Sequence, residues 1–334
     1  MVEEINIGVA GLGRIGKVHA EIFKTKVPKA RLVAVLDIDA SIARGVGERL
    51  KVKWYTDYEK MLQEDSVDAV IICTPTYLHY EMIIMAAEYG KHVFCEKPMC
   101  LTVKEANEIL SKISKNNIKL QIGYMRRFDD TYSRAKSYIE DGKIGEPLAY
   151  IGISRDPAPP PGWVADPKLS GGLFLDLMSH DFDMARWIIG SEVRSVYAIG
   201  EAYVFEEVKK RADLDHAIVN LEFKNKSIAV INGTRNSVYG YDIRAEVIGS
   251  KGTLFIGSNV NNLFAVGTKD TVIFNGFSWF QEKFYPAYVK EDISFVDVIL
   301  NDKEPLIGCI DGLRAVEIAE ACWKSVKEGK KIII

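Results

Sequence analysis

The segment Gly11-Leu12-Gly13-Arg14-Ile15-Gly16 constrains this chain most, because an apolar run, Ile5 to Ala10, must turn there into a helix reading from Gly16 to Lys24. In a G-x-G-x-x-G turn between strand and helix each glycine has a task. Gly11 permits the tight turn, Gly13 lets backbone approach a pyrophosphate, and Gly16 allows the helix to pack closely on the strand. The helix N-terminus then offers its N–H groups to the phosphates, and Arg14 and Ile15 in the turn are expected at the cofactor. Alone the motif is weak evidence. A second apolar run, Arg31 to Leu36, ends in Asp37, about 20 residues past the turn, where a ribose-binding carboxylate belongs. Asp37 would accept from the ribose hydroxyls and repel a 2'-phosphate, so NAD is expected rather than NADP. Asp39 and the lack of a neighbouring arginine point the same way. The competing reading is that Asp37 merely ends a strand.

Strand-like and helix-like runs continue to alternate: helices near Ile42 to Leu50 and Tyr58 to Gln63, strand Ala69 to Cys73, helix Leu78 to Tyr89, strand His92 to Cys95, helix Val103 to Asn116, strand Lys119 to Gly123. That order predicts an α/β fold, a doubly wound parallel Rossmann sheet over residues 1–123. Ligands bind beyond the carboxyl ends of such strands, which puts Thr74, Thr76, Glu96 and Lys97 at the cofactor. His79, in the next helical turn, is a cofactor contact or an exposed or capping histidine. Residues 124–334 read differently. Helices Thr131 to Asp141 and Phe174 to Ile189, strand Leu148 to Ser154, alternating runs from Val196 to Ile256 and a last helix, Gly312 to Lys327, predict an α+β domain on a large, mostly antiparallel open sheet.

With 334 residues the chain is long enough for these two domains. A net charge of −3 and a pI near 6.1 leave no electrostatic footprint for nucleic acid. No apolar run reaches membrane-spanning length, and Met-Val-Glu-Glu leads straight into a strand pattern without a signal peptide, so a cytoplasmic protein is expected. The five cysteines are odd in number and lack zinc-site spacing, so no metal is expected. Cys95 and Cys100, which flank Lys97, read as packing residues.

Two patches supply chemistry for a hydride-accepting cofactor: Glu96-Lys97-Pro98 and Asp176-Leu177-Met178-Ser179-His180. Asp176, His180 and Asp183 share one helical stripe, so Asp176 and His180 are neighbours. Oxidising a secondary alcohol needs a base for the hydroxyl proton and stabilisation of the developing alkoxide. His180 suits the first task, oriented by Asp176, and Lys97 would donate to the substrate oxygen. Gly171-Gly172 would let backbone approach a ligand closely. The plainer alternatives are an exposed polar helix face and a surface lysine paired with Glu96.

Taken together, GLGRIG, Asp37, CTPT with His79, CEKP, GYMRRFD (Gly123 to Asp129), SRDPAPPP (Ser154 to Pro161), GGLFLDLMSHDFDMARW (Gly171 to Trp187) and NSVYGYD (Asn236 to Asp242) resemble the glucose-fructose oxidoreductase and inositol dehydrogenase superfamily, and within it the myo-inositol 2-dehydrogenases. The resemblance spans nearly the whole chain. It implies NAD-dependent oxidation of a ring hydroxyl of a cyclic polyol, myo-inositol to its 2-keto product first, another cyclitol or a pyranose next. It implies Lys97, Asp176 and His180 as the catalytic set, with Arg126, Asp156 and Tyr239 at substrate hydroxyls, and a homo-oligomer, dimer or tetramer, assembled through the open sheet. The acidic Asp156 and the proline run depart from the histidine- and asparagine-bearing loop of some inositol dehydrogenases. A sugar sensor that kept the fold but lost catalysis is the rival reading, and it has no need of a base.

Overall fold

The structure is a computed structural model that describes residues 4–257, 260–267, 269 and 271–334. The chain divides into two compact units. One comprises the chain up to Met125 with Tyr288–Val316, the other Arg126–Ala287 with Glu317–Ile334.

In the first unit, strands β1 (Ile5–Ala10), β2 (Ala30–Leu36), β3 (Lys53–Tyr55), β4 (Ala69–Ile72), β5 (His92–Glu96) and β6 (Leu120–Gly123) form a six-stranded sheet in the order β3-β2-β1-β4-β5-β6. Every pairing is parallel. Strands covered on both faces carry unbroken apolar runs; thus Val9, Ala10, Val35, Val70, Ile71, Ile72, Val93 and Phe94 are all buried. Helices α1 (Arg14–Thr25), α2 (Ala40–Leu50), α3 (Tyr58–Leu62), α4 (His79–Glu88) and α5 (Val103–Asn116) connect the strands. Their starts follow side-chain chemistry: Asp39 caps α2 through Ser41 N and Ile42 N, and Thr102 with Glu105 forms a capping box on α5. Asp39 is therefore a capping residue. The strand order reverses between β1 and β4, and such switch points are where doubly wound sheets open a crevice.

The sequence boundary after Gly123 lies close to the first crossing between units, but the return of Tyr288–Val316 was not read. It brings part of a 21-residue helix whose interior Pro286 hides it from periodicity.

The second unit contains α6 (Asp130–Glu140), β7 (Pro147–Arg155), α7 (Pro167–Ser170), α8 (Ser179–Ile189), β8 (Val193–Glu201), α9 (Glu206–Lys210), β9 (His216–Phe223), β10 (Ile228–Thr234), β11 (Asp242–Gly249), β12 (Thr253–Ile256), a hairpin of β13 (Val260–Gly267) with β14 (Val272–Gly276), and β15 (Ile332–Ile333). Its large sheet has seven strands in the order β12-β11-β7-β10-β9-β8-β15. All pairs are antiparallel except β7 with β10. The long helices α10 (Phe280–Leu300) and α11 (Cys309–Glu328) precede β15. No helix among the described residues is long and apolar enough to cross a membrane.

One local prediction is corrected. The helix expected over Phe174 to Ile189 is a π-helical turn, Leu173–Leu177, followed by α8. Met178 N–H reaches back five residues to Leu173 O at 3.1 Å. Such turns interrupt the 3.6-residue stripe while leaving the apolar pattern intact, and they occur often at functional sites.

Candidate active site

At the carboxyl end of β1 the glycine turn has the geometry its spacing implies, with one difference. Gly11 has a φ of +88°, and a Cβ there would lie 2.7 Å from the Cys73 carbonyl and Thr74 N. At Gly16 a Cβ would stand 1.8 Å from Gly11 O, so only glycine lets α1 start this close to the turn. Gly13 meets nothing within 4 Å; it is the open side of the turn, and it precedes α1 without a side-chain cap. Arg14 is exposed and Ile15 half-buried in the first turn of α1. Asp37 lies across the mouth of this turn: Oδ2 accepts from Leu12 N at 2.8 Å and Oδ1 from Asp39 N at 3.0 Å. Each oxygen keeps a lone pair for a ribose hydroxyl. A helix start without a side-chain cap, an open glycine and an anchored carboxylate fit a dinucleotide.

The turns after β4 and β5 are tied together by His79. Its Nδ1 lies 2.7 Å from Pro98 O and its Nε2 2.8 Å from Thr74 O. Burial lowers the pKa of His79 against the pull of both carbonyls. His79 is thus neither exposed nor a cap, and with both nitrogens facing backbone it shapes the turns that would meet a cofactor. Thr74 Oγ1 contacts Met82 Sδ at 3.2 Å, and Thr76 is buried. Glu96 accepts from the backbone N–H of Lys97 at 3.1 Å through Oε2. Lys97 itself is half-buried. All five cysteines are buried and unbridged.

In the second unit, Asp176 sits on the π turn, and the buried His180 on the first turn of α8. The ion partner that Asp176 shows was not read from the sequence: Arg235 Nη2 lies 3.1 Å from Asp176 Oδ2. Arg235 is fully buried at the end of β10, with no acceptor at its Nε and Nη1. Asp213 adds a second carboxylate to this neighbourhood. Burial pushes its carboxyl upward against the opposing charge of Arg235, and its Oδ1 accepts from Leu173 N at 2.9 Å. The buried guanidinium holds Asp176 in place on the π turn. Gly171 and Gly172 have positive φ, but the space where side chains would go belongs to the protein. A Cβ at Gly171 would meet Leu175, and one at Gly172 would lie 2.5 Å from Asp213 Oδ1. These glycines admit protein atoms, not the ligand expected there.

The structure gives Arg126 a different place from the one expected. It is 1% exposed, with Nη1 3.0 Å from Asp181 Oδ1 and Nη2 3.1 Å from Ser154 Oγ. A guanidinium this deep needs a carboxylate beside it, and Asp181 supplies one. Likewise Asp183, assigned to a polar stripe, is buried against Arg127. Asp156 is half-buried, its backbone held by Thr234 O and Ser237 N, both at 2.9 Å. Tyr239 is 49% exposed, and its hydroxyl donates to Asp242 Oδ2 at 2.7 Å while accepting from Arg155.

Comparison with known proteins now bears on this geometry. Residues 5–124 match the family model described as an oxidoreductase family with an NAD-binding Rossmann fold, and residues 132–255 match the GFO/IDH/MocA C-terminal domain. The chain belongs to this family. It is an oxidoreductase, and its cofactor is NAD. It is 39% identical to the myo-inositol 2-dehydrogenase of Thermotoga maritima, covering 98% of each chain. It is 38% identical to the scyllo-inositol 2-dehydrogenase (NAD(+)) of Bacillus subtilis, covering 99% of this chain and 97% of that one. Among solved structures it is similar to scyllo-inositol dehydrogenase from Lactobacillus casei with bound NAD(H) and scyllo-inositol, with a TM-score of 0.93, 34% identity and 99% coverage of both chains.

Proposed function

We propose that this family member oxidises a ring hydroxyl of a cyclic polyol, with myo-inositol to its 2-keto product as first substrate, and scyllo-inositol or a pyranose as the neighbouring choice. The observation that carries the reading is the ion pair that the buried Arg235 makes with Asp176, on the π turn just before the helix that carries the buried His180, in a chain similar end to end to myo- and scyllo-inositol dehydrogenases. Gly11, Gly13, Arg14, Ile15, Gly16 and Asp37 would hold NAD, with Thr74, Thr76 and Glu96 shaping the neighbouring strand ends. Bound NAD supplies the hydride acceptor. His180 accepts the hydroxyl proton as the O–H bond breaks, and Asp176 stabilises the resulting imidazolium. The Lys97 ammonium donates to the substrate oxygen and offsets its developing charge.

Asp37 sets the cofactor preference in this account. NAD should exceed NADP in kcat/KM by at least about tenfold, roughly 1.4 kcal/mol, and Asp37→Ser should narrow the gap. Equal use of NADP by the unaltered enzyme would remove the assignment.

Asp156 and Tyr239 are proposed to face substrate hydroxyls, Tyr239 through a phenol oriented by Asp242. A site built to hydrogen-bond several hydroxyls is left with unpaired polar atoms when one is missing, a large penalty. Asp156→Ala is expected to raise KM for the best cyclitol and to blunt discrimination among isomers, with NAD affinity little changed. Steady-state kinetics decide it: an untouched isomer ranking, or 2-propanol matching inositol in kcat/KM, contradicts the assignment.

The outward face of the seven-stranded sheet supports the homo-oligomer. Tyr197, Ile199, Ile218, Ile228 and Val230 on adjacent strands are all exposed, an apolar field that a second copy of the chain would cover. Sedimentation velocity reads the outcome, and a monomer at micromolar concentration would count against it.

A further inference from the structure

The first unit buries a second cluster of ionisable groups, separate from those read as catalytic. His19 on α1, Glu96 at the end of β5, and Glu291 and Asp292 on α10 are all buried. His19 Nδ1 lies 2.9 and 3.0 Å from the two Asp292 oxygens, and Nε2 lies 3.1 Å from Glu96 Oε1. Carboxylates at both ring nitrogens are satisfied together only by an imidazole bearing both protons. Burial opposes that charge, but Asp292 and Glu96 outweigh it and raise the pKa of His19 well above its ordinary value.

Glu291 completes the cluster. Neither of its carboxyl oxygens has a hydrogen-bond partner, and one of its oxygens lies within 4.8 Å of the ligating atoms of His19 and Glu96. A carboxyl fully buried beside two other carboxylates holds its proton, because ionisation would add an uncompensated charge where no water solvates it. Burial first, then the charge on Glu96, drives its pKa well upward. Among the other groups that feel these charges are His79, which the Glu96 charge raises against its burial, and the Cys73 and Cys95 thiols, both kept protonated by burial. Phe94 and Tyr288 pack their rings on His19.

We propose that these four residues form a positioning network for Lys97, in which doubly protonated His19, anchored by Asp292, holds one oxygen of the Glu96 carboxylate beside a neutral Glu291, and the other Glu96 oxygen holds the Lys97 amide. The network rests on the reading of Lys97 as the donor to the substrate oxygen. The hydrogen-bond distances around His19 place protons, not a metal ion, between the ring and its carboxylates.

The network has a definite dependence on pH. The folded pKa of Glu291 lies above its unfolded value, so its contribution to stability is full below the unfolded value and is lost as pH rises toward the folded one. Glu291→Gln keeps the neutral shape and removes that loss. The difference in melting temperature between Glu291→Gln and the unaltered protein should therefore grow in favour of the variant from about pH 5 to about pH 9. The infrared band of a buried protonated carboxyl, present in the unaltered protein at neutral pH, should vanish in the variant. A constant melting difference, an unchanged infrared spectrum, or one equivalent of tightly bound divalent metal in the purified protein would overturn the proton assignment.

Coupling to Lys97 is read by a double-mutant cycle. His19→Gln should lower kcat about tenfold with the KM for NAD unchanged, and should cost nothing further in a Lys97→Ala background. An ordinary kcat in Lys97→Ala would sink the reading of Lys97 and the positioning role with it. A large loss in Lys97→Ala with a fully additive His19→Gln loss would overturn the network alone.

Discussion

His180→Ala should lower kcat about a hundredfold or more while NAD still binds, because the variant removes the proton acceptor and leaves the glycine turn and Asp37 in place. The effect has a signature beyond its size. Alcohol oxidation by an imidazole base weakens as pH falls and the ring takes up a proton, so the unaltered enzyme should lose activity on the acid side of neutrality and the variant's residual rate should lack that limb. Kinetics across pH, with NAD binding followed by fluorescence, separate the two effects. A near-normal kcat with the same acid limb would place the base elsewhere. Arg235 belongs to the same account: its guanidinium lies 3.1 Å from Asp176, the carboxylate proposed to stabilise protonated His180.

Arg126 carries the second large effect, and its nature separates two roles. If it contacted substrate, its loss would raise KM and leave the protein stable. Buried against Asp181 at 3.0 Å, it should instead stabilise the second unit. Burial raises the pKa of Asp181 even with Arg126 and Ser154 beside it, and its Oδ2 has no hydrogen-bond partner. Arg126→Ala strands that carboxyl in the interior. The expected cost is about 3–5 kcal/mol, a fall in melting temperature on the order of ten degrees for a unit of this size. Because the stranded carboxyl then takes up a proton, the loss should shrink as pH is lowered. Calorimetry of Arg126→Ala near pH 5 and pH 8 checks both statements. A variant as stable as its parent, with a raised KM for cyclitol, would return Arg126 to the substrate.

How much of this was legible in the sequence follows from the range of the interactions involved. Strands buried on both faces announce themselves as apolar runs, and β1 and α5 have the bounds expected of them. The glycine turn was legible because three glycines in six residues answer to one backbone geometry. Ion pairs were not. Arg126–Asp181, Arg127–Asp183 and Arg235–Asp176 join residues 55, 56 and 59 positions apart, and each charged residue alone reads as solvated surface. Asp183 on its supposed polar stripe is the plain case. The π turn escaped because Leu173, Leu175 and Leu177 continue an apolar pattern through it, and α10 escaped behind Pro286. Gly171-Gly172 misled for the opposite reason: positive φ and missing Cβ atoms were correctly implied, but Leu175, Asp213 and Trp323 occupy the room they create.

The central claim, oxidation of a cyclitol ring hydroxyl with NAD, is tested most directly by following NADH formation from NAD with a panel of inositol isomers, aldoses and simple secondary alcohols. The account predicts rapid NADH formation with myo-inositol or scyllo-inositol, a weaker response to pyranoses and almost none to 2-propanol. No NADH from any cyclitol, with turnover of an acyclic alcohol or of nothing in the panel, would contradict it.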